Sequence, residues 1–434
     1  MFYAPVMVPD LGGLFRALLL LTLLVVPLYA WRVRGRAYAL FGLVTLLFSF
    51  PGAWISHARL AAWIGSEARP WLDASFAYGV SAAGLHLIHL VQARLRSRIY
   101  RATVSIPGQV FLAAGFLAGL WQLLLLPLGA GLTLVGLGAV AQSLHWLDWF
   151  PFTLAGLSII TSLRRATEWV RIRLDVDGPK GFERVPVERS RRPHPISHRE
   201  RPLRIVQIAD PHLGPWQSIA RLRRTLESLL SHDPDLVLLT GDFLTMEGQG
   251  SRGALAEALA PLRPFRGRSF AVFGNHDLEA EREVRDALAA SGVALLVDAA
   301  TVATTPVGPV QILGAHYRRR DRISPMRALL SQNPRQRGIP RLLLLHDPSG
   351  FRDVPDGEVD LTLSGHTHGG QLGLVSFGLD WTVLRNTRWP DHGLFARGSN
   401  RLYVHRGTGF YGFPLRVGVP GEASILELVM DPST

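Results

Sequence analysis

The sequence predicts a chain of two unlike parts. An all-α transmembrane domain covers residues 1–173, an α/β domain covers 203–434, and a polar linker at 174–202 joins them. Three observations carry this reading. Long uncharged apolar runs recur in the first part. Strand-like and helix-like runs alternate in the second. The formal charge of +12 is also uneven, since residues 1–173 hold 14 Arg against 5 acidic residues, while 201–434 hold 26 basic and 24 acidic. A near-neutral C-terminal part argues against a phosphate-backbone binder, so nucleic acid is not an expected partner. The chain has no cysteine, which excludes disulfides, thiolate metal sites and cysteine nucleophiles.

The apolar runs lie at 17–31, 37–56, 74–93 and 103–147. A membrane helix needs ~20 mostly apolar residues. The first run reaches that length only if it extends back past Arg16 to Leu11. The last is broken by "PLGAG" at 127–131 and reads as two helices, so about five spans are expected. A signal peptide explains only the first run. Arginine clusters follow at 32–36, 94–101 and 164–173. Such clusters mark the cytoplasmic side, and with five spans they place the C-terminal domain there, at the inner membrane of a cell. The apolar segment 149–163 reads either as an interfacial helix or as a sixth span, and a sixth span would move the domain outside. His86 and His89 share one helix face, and interhelical hydrogen bonding is the favoured reading. No Asp, Glu or Lys lies mid-run, which speaks against an ion-coupled transporter.

Beyond the linker the period changes. "LRIVQIA" is a β-branched strand, and "SIARLRRTLESLL" places Ile219, Leu222, Leu226, Leu229 and Leu230 on one helical face. "DLVLLT" and "SFAVF" are strands, and "AEREVRDALAASG" is a helix closed by Gly292. "VQILGA", "RLLLL", "DLTLS", "RLYVHRG" and "SILELVM" complete the strands. Continuous apolar strands imply sheets covered on both faces. Alternation followed by a run of strands implies an α/β sandwich of two sheets.

Five strands end in polar clusters: Asp210-Pro211-His212, Gly241-Asp242, Gly274-Asn275-His276-Asp277, His346-Asp347 and Gly365-His366-Thr367-His368. Ligands of open α/β folds bind beyond the carboxyl ends of strands, so the five clusters should converge. Each alone is ordinary turn chemistry. Together they offer His nitrogen and carboxylate oxygen, which suit borderline divalent metals. Six or seven such ligands exceed one tetrahedral site and suit two ions.

This ordered set resembles the calcineurin-like metallophosphoesterase superfamily over about residues 203–429. "DLTLSGHTHGGQ" and "RLYVHRGTGFYGFPLRVG" are similar to its membrane-attached subfamily. That subfamily includes one type of UDP-2,3-diacylglucosamine pyrophosphatase of lipid A synthesis. The resemblance implies a four-layer α-β-β-α sandwich of two mixed sheets. It implies that Asp210, His212 and His368 hold one divalent ion and that Asn275, His346 and His366 hold another. Asp242 would bridge the two. Mn²⁺ is the first choice, with Fe or Zn as the others. His276 would not bind metal but would act as acid or stabilise phosphoryl charge. The family's acidic residue three positions after the bridging Asp is Thr245 here, which implies tuning rather than loss. Gly365, Gly369 and Gly370 are expected to keep bulk away from the metals.

The expected activity is hydrolysis of a phosphodiester or pyrophosphate bond. The membrane domain points to membrane lipids as partners and to a lipid-linked phosphoester substrate; no protein partner is indicated. Phe410, Tyr411 and Phe413 are candidate acyl contacts. The alternatives are a tethered phosphodiesterase with a soluble substrate, and an inactive membrane scaffold.

Overall fold

The structure, a computed structural model, describes residues 10–174, 178–195, 201–412 and 415–429. The chain divides into two compact units, and the second begins at Thr161.

The first unit is helical. Helices Leu11–Arg34, Arg36–Trp63 and Arg98–Leu134 are each long and apolar enough to cross a membrane. The "PLGAG" break does not occur. The last helix runs through Pro127 and ends only at Leu134. Proline inside an apolar helix is tolerated where neighbouring groups satisfy the freed carbonyl. Residues 138–163 form a succession of short helices rather than one long span. Helix Arg69–Leu90 carries buried Asp73 and His86. Gly52 sits against Gly115, where an added Cβ would lie 2.1 Å from the Gly115 carbonyl oxygen. Small residues of this kind let two helix backbones touch.

Polar side chains inside this unit pair with one another. The His86 ring lies 2.9 Å from the Gln109 amide, as the hydrogen-bonding reading expected. His57 Nε2 meets Asp73 Oδ1 at 2.7 Å. Asp148 accepts from Arg59 at 2.9 Å and from Gln122 at 2.7 Å. These pairs bring together residues far apart in sequence, and no local pattern announces them.

Among the described residues the second unit holds fourteen strands. They are β1 (Arg165–Arg173), β2 (Glu183–Arg184), β3 (Glu188–Ser190), β4 (Leu203–Ile208), β5 (Leu236–Leu239), β6 (Ser269–Ala271), β7 (Ala294–Leu295), β8 (Ala299–Thr305), β9 (Gly308–Gly314), β10 (Arg341–Leu344), β11 (Leu361–Ser364), β12 (Gly393–Arg397), β13 (Asn400–Val404) and β14 (Gly421–Val429). One sheet has the order β3-β1-β14-β4-β5-β6-β7, the other β2-β12-β13-β11-β10-β9-β8. Both are mixed. β4, β5, β6 and β7 are parallel, while β14 runs antiparallel to β4. β9, β10, β11 and β13 are parallel, with β8 and β12 antiparallel at their flanks.

The inner core lies between the sheets. Leu203, Ile205, Leu236 and Leu238 of one sheet belong to the same buried cluster as Ile312, Leu342, Leu344 and Leu361 of the other. The outer face of the second sheet is covered by helix Ile323–Gln332 through Met326, Leu329 and Leu330. Helix Ile219–Leu230 is capped by Ser218 and buries Leu222, Leu226 and Leu229, matching the helical face read from the sequence.

The boundary between the parts differs from the sequence reading. Residues 165–173, taken as an arginine cluster, form β1 and pair in parallel with β14. Trp169, Val170 and Ile172 are buried, and the charged residues between them mask the strand pattern. Two short strands lie within the expected linker, β3 at the edge of the first sheet beside β1 and β2 at the edge of the second beside β12.

Candidate metal centre

Parallel strands deliver the polar clusters to one edge. The loop after β4 carries Asp210 and His212, that after β5 Asp242, and that after β6 Asn275 and His276. In the second sheet, β10 leads to His346 and β11 to His366 and His368. Asp210, His212 and His368 form one potential metal-holding group, and Asp242, His346 and His366 another.

The contacts join these into one cluster. His212 Nε2 and His368 Nε2 are 3.1 Å apart, with stacked rings. His346 Nε2 lies 3.2 Å from Asn275 Oδ1 and 3.2 Å from His366 Nδ1. Asp242 Oδ2 approaches both sides, at 3.7 Å from His212 and 3.3 Å from His346. His346 Nδ1 faces the Thr240 carbonyl at 2.7 Å. That carbonyl can only accept, so Nδ1 carries a proton and Nε2 faces the cluster. Burial opposes charge on this ring, but Asp242 and Asp210 outweigh it and raise His346 to about 10, so Nε2 gives up its proton when it takes a cation. Burial lowers His212 to about 3 and His366 to about 4, so both rings are neutral near pH 7 and available as ligands. Burial opposes charge on Asp242, but His346 and His212 pull its pKa well below the usual carboxylate value. Converging imidazole nitrogens and carboxylate oxygens fit divalent cations.

The backbone around the cluster is unusual. Asp210, His212, Asp242, His366 and His368 all have positive φ, between 46° and 72°. Non-glycine residues rarely adopt this region, and such strain concentrates at functional sites. Two glycines are required by close approach. A Cβ on Gly274 would lie 2.1 Å from Asp242 Oδ1, and one on Gly365 would lie 2.3 Å from Asp210 Oδ2. Gly369 and Gly370 do not share that role. Their Cβ positions face Val419 and Leu384, and both have positive φ. They shape the turn after His368 rather than clearing space beside the cluster.

The sequence reading left Asp277 without a role. Its carboxylate accepts from the N–H groups of Asp242 (2.7 Å), Phe243 (2.7 Å) and Gly274 (2.8 Å). It therefore ties the loop after β5 to the loop after β6. Asp277→Ala would leave three buried donors unsatisfied, at ~1–3 kcal/mol each. We expect a loss of at least ~3 kcal/mol of stability, read from the urea midpoint of the second unit's transition. An unchanged midpoint would remove Asp277 from this role.

Three further residues complete the surroundings. Arg416 is fully buried and donates to the carbonyl of His368 at 3.2 Å, while its Nη2 lies 3.3 Å from His368 Nδ1. Thr245 donates to the Leu213 carbonyl at 3.1 Å and so braces the loop that carries His212. Tyr411 stacks on His276 with ring centroids 4.1 Å apart. Phe410 is buried near Trp216, and Phe413 lies outside the described residues. His276 stands apart from the two metal-holding groups. Its N–H donates to Asp242 Oδ1 at 2.9 Å, while its ring packs edge-on to His212.

The profile of the calcineurin-like phosphoesterase family matches residues 203–370. Phosphodiesterase YaeI of Escherichia coli K12 is 31% identical over 233 residues, covering 52% of this chain and 83% of that protein. This chain belongs to the calcineurin-like phosphoesterase family. An uncharacterized Bacillus subtilis metallophosphoesterase, YkoQ, is also 31% identical, over 240 residues, covering 52% and 83% of the two chains. A zebrafish transmembrane protein with a metallophosphoesterase domain is 31% identical over 250 residues, covering 52% and 53%. As a calcineurin-like phosphoesterase the protein is a metal-dependent phosphoester hydrolase, and its two candidate metal-binding groups accord with that family's use of divalent ions.

Proposed function

We propose that the protein is a membrane-bound, dinuclear phosphoesterase that cleaves a phosphodiester or pyrophosphate bond in a lipid-linked substrate. The chemistry of UDP-2,3-diacylglucosamine is the type example. The observation that carries this is the union of a seven-residue N/O ligand cluster with helices whose outward faces are apolar. Phe48 is 62% exposed and Leu123 72% exposed, which suits a lipid surrounding. The similarity to a phosphodiesterase of Escherichia coli supports the reaction class.

In this reading Asp210, His212 and His368 hold one ion. Asn275, His346 and His366 hold the other, and Asp242 is shared. The ions, Mn²⁺ by preference, would neutralise phosphoryl charge and acidify a water. The remaining work falls to the chain itself. The loops at the strand ends hold the phosphoryl group in line, and phosphoryl transfer depends mainly on such positioning. His276 presents its imidazole to the leaving oxygen. Its backbone is anchored on Asp242 and its ring is braced by Tyr411. Arg416 holds the His368 loop in place.

The substrate is tested with the full chain purified in detergent with Mn²⁺. A lipid-linked pyrophosphate is expected to be cleaved with kcat/KM at least tenfold above that of a water-soluble diester. Equal or lower values for the lipid would make the protein a tethered hydrolase of soluble substrates. We also place the catalytic unit on the cytoplasmic face of the inner membrane, with the arginine clusters at 32–36 and 94–101; this requires the short helices of 138–163 to return the chain across the membrane after helix Arg98–Leu134. A reporter fused after Thr434 should be active only when it works inside the cell, and activity only outside would reverse this topology.

A further inference from the structure

The second unit carries a cleft lined by Leu163, Arg165, Thr167, Arg221, Arg224 and Thr225, with no acidic side chain along it. The three arginines arrive from two elements. Arg165 opens β1, directly after helix Phe150–Leu163. Arg221 and Arg224 lie three apart on helix Ile219–Leu230. Their neighbour Arg223 is taken by Glu227 at 2.9 Å, but the three cleft arginines find only neutral partners. Arg165 donates to Thr225 Oγ1 at 2.8 Å and to the Gln217 side-chain carbonyl. Arg221 donates to the Leu163 carbonyl, and Arg224 to the Ala220 carbonyl at 3.2 Å. The Nε–H groups of Arg165 and Arg221 are enclosed without an acceptor among the described residues.

Arg165 and Arg221 are half-buried, and guanidinium groups drawn away from water normally sit beside carboxylates, because an uncompensated charge there is costly. Here burial, then Arg221 and Arg416, lower Arg165 to about 9. Arg221 is likewise lowered by burial and by Arg224. The cleft thus gathers like charges and leaves their compensation open. An anion with several acceptor oxygens would supply it, and planar guanidinium forks match phosphate geometry.

We propose that the cleft of Arg165, Arg221 and Arg224 is a second binding site, separate from the metal-ligand cluster, for a phosphate-bearing anion. The phosphate can belong to a phospholipid headgroup or to a soluble phosphate compound. Leu163 lines the same cleft and sets an apolar contact beside the charged groups.

The test uses the full, metal-loaded chain in a neutral detergent. Equilibrium dialysis with labelled inorganic phosphate should resolve a class of sites beyond that of the metal centre. Arg224 is exposed on its helix, so Arg224→Glu should fold and should weaken that second class by at least about tenfold, the loss of one charge-assisted hydrogen bond. Arg224→Lys should retain most of it, and the R221Q/R224Q double variant should abolish it. Circular dichroism checks that each variant is folded. Displacement of phosphate by short-chain phosphatidylglycerol, at concentrations well below those needed for glycerol 3-phosphate, would identify a headgroup site. Equal displacement would identify a site for soluble phosphates, and both results uphold the proposal. It is overturned if wild type and folded Arg224→Glu bind the same number of phosphates with the same affinity. Substrate cleavage is not the readout, so failure here leaves the catalytic reading untouched.

Discussion

Asp242→Ala is expected to lose bound metal and activity together. One oxygen of this carboxylate takes the His276 N–H, at 2.9 Å. The other faces His212 and His346 from between the two halves of the cluster. Asp210 differs: it faces the His368 ring on one side but meets the other half only through the backbone N–H of His366. Removing Asp242 takes a charge from both ion positions at once. It also frees the loop before His276. Lost charge stabilisation of several kcal/mol corresponds to roughly 10³-fold or more in rate. Elemental analysis of the chelator-free protein should fall from two divalent ions per chain towards none. Two ions retained with normal activity would remove Asp242 from the bridging position.

His276→Ala should behave differently. Its ring belongs to neither metal-holding group and packs on Tyr411 instead. We expect both ions to remain and kcat to fall by ~10²–10⁴-fold, the usual contribution of a positioned proton donor. A substrate with a good leaving group, such as p-nitrophenolate, needs little protonation and should recover part of that loss. The same substrate should not rescue Asp242→Ala. If His276→Ala loses metal as completely as Asp242→Ala, His276 belongs among the ligands.

The metal-type residues stood out because each follows a short apolar strand. A strand end fixes where its next residues emerge, so order and spacing along the chain could place Asp210, Asp242, Asn275, His346 and His366 on one edge. The two amphipathic helices at 219–230 and 281–290 were equally readable, since period and capping are local properties. The long apolar helices were readable from composition alone, although their ends were not. Helix Arg98–Leu134 runs through a proline that the local pattern marked as a break.

Other features had no local signal. β1 hides in an arginine-rich stretch because alternate residues point to opposite faces, so a strand can bury Val170 and Ile172 while Arg171 and Arg173 take the alternate positions. The partners of Asp277 lie on two loops and are backbone N–H groups, which no residue type advertises. Gly369 and Gly370 look in sequence just like Gly365, and only the direction of the missing Cβ separates them.

By itself the sequence determined the two-part architecture, the alternation of strand and helix, and the identity of the residues that could hold metal. These depend on hydrophobic period and on side-chain chemistry, which are properties of neighbouring residues. Only the tertiary structure decided which carboxylate stands between the two histidine groups, which way His276 points, and that arginines from a strand and a distant helix share one cleft. Those outcomes depend on distances between residues up to 156 positions apart in the chain, and sheet pairing and packing set such distances.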